Sequence, residues 1–201
     1  MPRRTPEQTE RLRADLIGHA RVLMRRDGAS ALTMQRLASE AGCAVGLIYK
    51  VFADREELMI EIAVSELGDL GHRMAAWAAE SGTRTISENL DAYASILLDA
   101  ETPALVHAES LPGERLTTRF AESAEASTFF DALGSAVTDY LGGEQRAGRV
   151  RREVDPAAFG FMIAGAIHNL LASGPGHPRP TRAQLSRYLS AVATTIESPP
   201  A

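Results

Sequence analysis

The chain has 201 residues, 45% hydrophobic and 23% charged, enough for one large domain or a small one joined to a larger one, each with its own core. Its one cysteine, Cys43, excludes an internal disulfide and a cysteine-based zinc site. Met-Pro-Arg-Arg-Thr-Pro at the N-terminus lacks the apolar run of a signal peptide, and the most apolar stretch, Phe159 to Ala172, is interrupted by Gly160, Gly165, His168 and Asn169, so a soluble, cytoplasmic protein is expected. The formal net charge of -5 hides an asymmetry, because residues 1–26 hold seven Arg against three acidic residues and the rest of the chain is acidic. A basic end on an acidic body suits a polyanion-binding head, and it suits a solvated amphipathic helix equally well.

From Thr9 to Arg26, Leu12, Leu16, Ile17, Ala20, Leu23 and Met24 recur at three- and four-residue spacing, which predicts an amphipathic helix ended by Asp27-Gly28. Thr33 is the N-cap of a second helix that stops at Gly42, and a third, short helix is predicted over Val45 to Val51. Asp54 with Glu57 resembles a capping box and opens a long helix to about Glu80, closed by Gly82. Residues 86–100 form another amphipathic helix stopped by Pro103, and the helical character of 104–127 is interrupted at Pro112-Gly113. Helices follow from Phe129 to about Arg149, weakened by Gly142-Gly143, from Ala157 to Ser173 behind Asp155-Pro156, and from Thr181 to about Ile196. With no strand alternation and no repeat, the expected fold class is all-α.

Residues 32–58 carry the functional signal. Two short helices that cross steeply need a small residue and a glycine between them, and Ala41-Gly42 supplies both. Ala38 is small at the crossing, while Leu37, Ile48 and Phe52 pin the pair together, leaving the second helix free to enter a major groove. Thr33, Leu37-Ala38, Ala41-Gly42, Ile48-Tyr49, Phe52 and Glu56-Glu57-Leu58 resemble the head of the TetR family of one-component transcriptional regulators, over roughly residues 9–60. The resemblance implies an N-terminal three-helix DNA-binding head with a helix-turn-helix at 1–53 and a larger helical effector-binding and dimerisation body at 54–201. Residue by residue, it implies that Thr33 bonds a phosphate and Gln35 reaches a base. It places Val45, Gly46 and Leu47 at the groove-facing start of the recognition helix, and Tyr49, Lys50 and Arg55 on phosphates or bases. The chain departs from the family pattern at Ala44, Leu47 and Val51, where Ser, Thr or Ser, and His are common. Readout then leans on Gln35, Tyr49, Lys50, thymine-methyl contacts from Val45 or Leu47, and DNA shape; Val51 suits the core as well as a contact.

For the body, the resemblance implies a homodimer formed through the helices predicted at Phe129–Arg149 and Ala157–Ser173, a palindromic double-stranded operator, and release by a small apolar or aromatic effector. Trp77, Tyr93, Leu97, His107, Phe120, Phe130, Met162 and His168 are the candidate pocket residues, although such a stripe also reads as plain core. His168-Asn169 in an apolar run reads as a satisfied core or interface pair. No hydrolase elbow, phosphate-cradling loop or His-Glu-x-x-His helix occurs, so no catalytic residue, cofactor or metal is expected. Glu66, Asp69 and His72 share a helix face, which reads as solvated charge before it reads as a metal site. The competing reading is a helical scaffold or enzyme-like body with a vestigial DNA-binding head and no effector.

Overall fold

Local capping chemistry sets most of the helix boundaries. The computed structural model describes residues 5–100, 102, 104, 113–172 and 179–199. Among these, α1 (Pro6–Asp27), α2 (Met34–Glu40), α3 (Val45–Val51), α4 (Arg55–Ala78), α5 (Ile86–Leu98), α6 (Gly113–Glu122), α7 (Ala124–Arg146), α8 (Pro156–Ala172) and α9 (Arg182–Ile196) follow in order. Apart from one isolated antiparallel bridge, Val150 to Glu197, the regular structure of the described residues is helical, as the pattern predicts. Thr5, Thr85 and Thr181 each head a capping box, with Gln8, Glu88 and Gln184 returning the bond. Thr33 caps α2 by accepting from the Arg36 amide at 3.1 Å, and Asp54 accepts from the Glu57 amide at 2.7 Å.

Two helix starts lie several residues upstream of the predicted ones, and the first is α1, which begins at Pro6 and not Thr9 because the Thr5 capping box precedes it. α7 begins at Ala124, not Phe129, because the Ser123 hydroxyl accepts the Ala126 amide at 3.2 Å and supplies a cap. The helix also runs through Gly142-Gly143 without a break. A Cβ at Gly143 would lie 2.4 Å from Ser81 Oγ, so this glycine admits the turn after α4.

The chain divides into two compact units, one drawn from residues up to Leu67 and between Glu101 and Ala126, the other from Gly68 to Ala100 and from Ser127 onward. In the first, Leu16, Ala20, Leu23 and Met24 of α1 pack with Leu32, Leu37, Ala38, Ile48, Phe52, Leu58, Met59 and Ile62. Each fully buried large apolar side chain there contributes about 1.5–3 kcal/mol. This core orients α2 and α3.

The second unit centres on aromatic rings. Trp77 lies 4.8 Å from the Tyr93 ring and 4.6 Å from that of Tyr140, centroid to centroid, and its Nε1 donates to the Asn89 carbonyl at 2.8 Å. Asn89 Nδ2 donates to the Tyr140 hydroxyl at 3.0 Å. The fully buried Glu144 accepts from the Gly82 amide at 3.1 Å and pairs with Arg149 Nε at 3.1 Å, which offsets the cost of burying its charge. α9 is tied to α5 through Ser186 to Asp91 at 2.6 Å and Arg182 to Asp99 at 2.5 Å. α8 meets α7 at Gly160, where a Cβ would fall 2.3 Å from Thr138 Oγ1 and 2.9 Å from the Thr138 amide nitrogen.

Candidate nucleic-acid interface

α2 and α3 form the predicted pair. α2 ends at Glu40 with Ala41 as its C-cap, Gly42 turns the chain at φ +62°, and the Cys43 amide returns to the Ala38 carbonyl at 2.9 Å. Leu37, Ile48 and Phe52 are completely buried, so the pin expected between the helices is present. It leaves an outer side of known composition: Thr33, Gln35, Val45, Gly46, Tyr49 and Lys50 are exposed, and Leu47 is half-buried. Ala44 caps α3 with no side-chain hydrogen bond. Tyr49, at 56% exposure, is too open to be a core residue. Val51 lies on the other side, half-buried against the head core.

Arg55 sits differently from the surface contact expected of it. Its Nε donates to the Leu32 carbonyl at 2.6 Å and its Nη2 to the Ala29 carbonyl at 3.0 Å, so the side chain staples the loop ahead of α2 to the start of α4. Much of the local positive charge is also spent internally. Arg26 pairs with Asp27 and Glu40, and Arg36 with Asp27, whose carboxyl is held below the usual carboxylate range first by the Arg26 hydrogen bond. Lys50, Arg11 and Arg25 are exposed.

A second charged system lies on the inner side of the head. Glu61, 6% exposed, receives both Nε (2.5 Å) and Nη2 (3.1 Å) of Arg119 from α6, and pairs with Arg13 Nη2 of α1 at 3.1 Å. Burial pushes the Glu61 carboxyl up, but the Arg119 hydrogen bond and the Arg13 and Arg119 charges outweigh it and hold the group below its ordinary value. Arg13 also reaches Glu57 at 3.2 Å, sits 4.8 Å over the Phe52 ring, and donates from Nη1 to the Val51 carbonyl at 3.0 Å. Arg115 pairs with Asp54 and Glu56. A cleft of about 380 Å³ beside these pairs is lined by Glu57, Ile60, Glu61 and α6 residues including Arg115 and Arg119. Helical periodicity had no means of linking Arg13, Glu61 and Arg119, which come from three separate helices.

Seven of the eight candidate pocket residues lie among the described residues. Trp77, Tyr93 and Leu97 are buried in the second unit, and burial raises the Tyr93 hydroxyl to about 12. Phe120 packs half-buried against the head core, and Phe130, Met162 and His168 are exposed, so His168 is no core histidine in the single chain. His107 lies outside the described residues. Among the described residues, the lining of the cleft above and that of a second one, of about 360 Å³ between residues 75–81 and 132–146, include none of these seven. Glu66 is buried while Asp69 and His72 are exposed, and no cluster of three metal-ligating side chains occurs among the described residues. Among those residues, too, no helix is long and apolar enough to cross a membrane.

The family model for bacterial regulatory proteins, tetR family, matches residues 16–62, which span the C-terminal half of α1, both helices of the motif and the start of α4. No curated protein matches the chain in sequence. Among solved structures, a TetR-family transcriptional regulator from Pectobacterium atrosepticum is 20% identical, with a TM-score of 0.59 over 98% of this chain and 100% of that one. A TetR/AcrR-family regulator from Thermobifida fusca is 19% identical, with a TM-score of 0.57 over 91% and 96% of the two chains. The ketosteroid transcriptional regulator KstR2 of Mycobacterium tuberculosis is 22% identical, with a TM-score of 0.50 over 94% and 96%. Residues 16–62 thus match the N-terminal segment of the tetR family, and the chain as a whole has the fold of solved TetR-family transcriptional regulators.

Proposed function

We propose that this protein is a cytoplasmic repressor that binds a palindromic operator as a homodimer and is released by a small apolar or aromatic effector, acting by binding and not by catalysis. The observation that carries the reading is the outer side of α2 and α3, where Thr33, Gln35, Val45, Gly46, Tyr49 and Lys50 are exposed on a framework pinned from within. In a major groove, the Gln35 amide suits adenine, Val45 and Leu47 suit the thymine methyl group, and Thr33, Tyr49 and Lys50 suit phosphates. Arg55 serves the same site by holding the loop before Thr33. In this division of labour 1–53 reads DNA, and 54–201 dimerises and senses.

Dimerisation is supported by apolar side chains that the single chain leaves in water: Phe130 on α7, and Phe161, Met162 and Leu171 on α8, with Phe161 81% exposed. A two-fold axis then sets half-sites about 34–36 Å apart, or a multiple of that spacing. Sensing is supported by the Trp77–Tyr93–Tyr140 cluster, where the Tyr93 hydroxyl and Asn89 Oδ1 are buried without a hydrogen-bond partner. A ligand offering a donor to Asn89 and an acceptor to Tyr93 would satisfy both.

The test is selection of duplexes from a random pool by the full-length protein, followed by light scattering with and without the selected duplex. Enrichment of a palindrome by a dimer is expected. Recovery of no enriched sequence sinks the reading and favours a helical scaffold with a vestigial head.

A further inference from the structure

We propose that Arg119, on α6 and far outside the matched head segment, is a positioning residue for DNA reading, holding the C-terminal end of α3 through the buried Glu61 and Arg13. The inference rests on the reading of α3 as the DNA-contacting helix. Three planar groups stand in series. The Arg119 fork takes both oxygens of Glu61, at 2.5 and 3.1 Å, which fixes the plane of a carboxylate that is 6% exposed. Glu61 Oε1 then holds Arg13 Nη2 at 3.1 Å, and the other end of that guanidinium, Nη1, meets the Val51 carbonyl at 3.0 Å.

Val51 is the last residue of α3, and its carbonyl is one of those a helix leaves without an internal partner. The Arg13 cation also lies 4.8 Å over the ring of Phe52, the residue that ends the helix and fills the pin with α2. α3 has only seven residues, so the bond at its end adds directly to the core contacts of Ile48 and Phe52 in setting its orientation. Without Arg119 the carboxylate is free to turn, and Arg13 is drawn toward a charge it no longer shares. The Val51 carbonyl loses its fixed donor. A clamp that merely held α6 in place would move the melting temperature and leave α3 alone, whereas this arrangement couples α6 to the reading helix.

The experiment uses the full-length protein, the duplex selected above, and the variants Arg119→Gln and Arg119→Lys, each measured where circular dichroism shows it folded. Arg119→Gln is expected to weaken duplex binding about tenfold, a typical size for coupling between sites. Its salt slope should stay unchanged, because Arg119 neutralises no phosphate. Arg119→Lys, which keeps the charge and loses the fork, should recover part of the affinity. The backbone amide resonances of Val51 and Phe52 should shift in Arg119→Gln without DNA present. Arg13→Gln added to Arg119→Gln should weaken binding less than Arg13→Gln does alone.

A folded Arg119→Gln that binds within twofold of wild type, with Val51 and Phe52 unmoved, overturns the proposal. A salt slope smaller by about one also overturns it, since Arg119 would then touch DNA itself. Selection of no duplex at all overturns the DNA reading together with this inference, whereas a selected duplex indifferent to Arg119→Gln overturns this inference alone.

Discussion

Gly46→Ala should raise stability and lower DNA affinity at once. The backbone at Gly46 has no positive φ, and a Cβ built there meets nothing within 4 Å outside its own helix, so the free chain has no steric need for glycine. Alanine in a helix is favoured over glycine by about 0.5–1 kcal/mol. For a chain of 201 residues that amounts to a rise in melting temperature of about 1–4 °C. In the groove the sign reverses, because a methyl group forced into a close-packed contact costs about 1–3 kcal/mol, roughly five- to 150-fold in Kd. Gly18 on α1 is the matched control. It is exposed, has no positive φ, and its added Cβ likewise meets nothing within 4 Å. Gly18→Ala should stabilise to the same degree and leave binding unchanged. The assay pairs thermal melts with fluorescence anisotropy on the selected duplex. If Gly46→Ala stabilises the protein and binds within twofold of wild type, α3 does not approach the bases at this turn and the docking is wrong.

Three further outcomes follow from the same geometry. Lys50→Ala should weaken binding to every sequence alike and reduce the salt slope by about one per protomer; an unchanged slope in salt titrations removes Lys50 from the phosphate contacts. The Glu61 carboxyl titrates below its ordinary value of 4.5 in the folded chain, so its stabilisation is present above that pH and disappears as pH falls through the depressed value. Urea melts should therefore show the wild-type advantage over Glu61→Gln shrinking below about pH 4, and a gap that does not vary with pH would contradict the pairing. Gly160→Ala drives a Cβ to within 2.9 Å of the Thr138 backbone nitrogen, and should cost about 1–3 kcal/mol in chemical denaturation, far more than Gly165→Ala, whose Cβ meets nothing within 4 Å.

The helices and the turn were readable because their signals are local. Thr33 is three residues from the amide it caps, Gly42 bears the positive φ of the turn by itself, and Leu37, Ile48 and Phe52 recur on the spacing that forms a buried pin. The misplaced start of α7 is local too, since a serine cap at Ser123 is a weaker mark than the aromatic pair at Phe129-Phe130. The body was less readable for a physical reason. Helical periodicity shows that a residue lies on an apolar face, and the same pattern serves a core, a subunit interface and a pocket. Trp77 and Tyr93 are buried in the single chain, while Phe130, Met162 and His168 are exposed on it.

By itself, the sequence determined the all-helical class and the helix-turn-helix, because caps, turn glycines and apolar spacing act within a few residues of one another; the candidate contact residues came from the family resemblance. Only the tertiary structure decided that Arg55 is turned inward onto the Ala29 and Leu32 carbonyls, and that a buried Glu61 joins Arg13 to Arg119. Those contacts depend on where helices remote in sequence come to lie. A charge some sixty residues away leaves no periodic trace in the segment it holds.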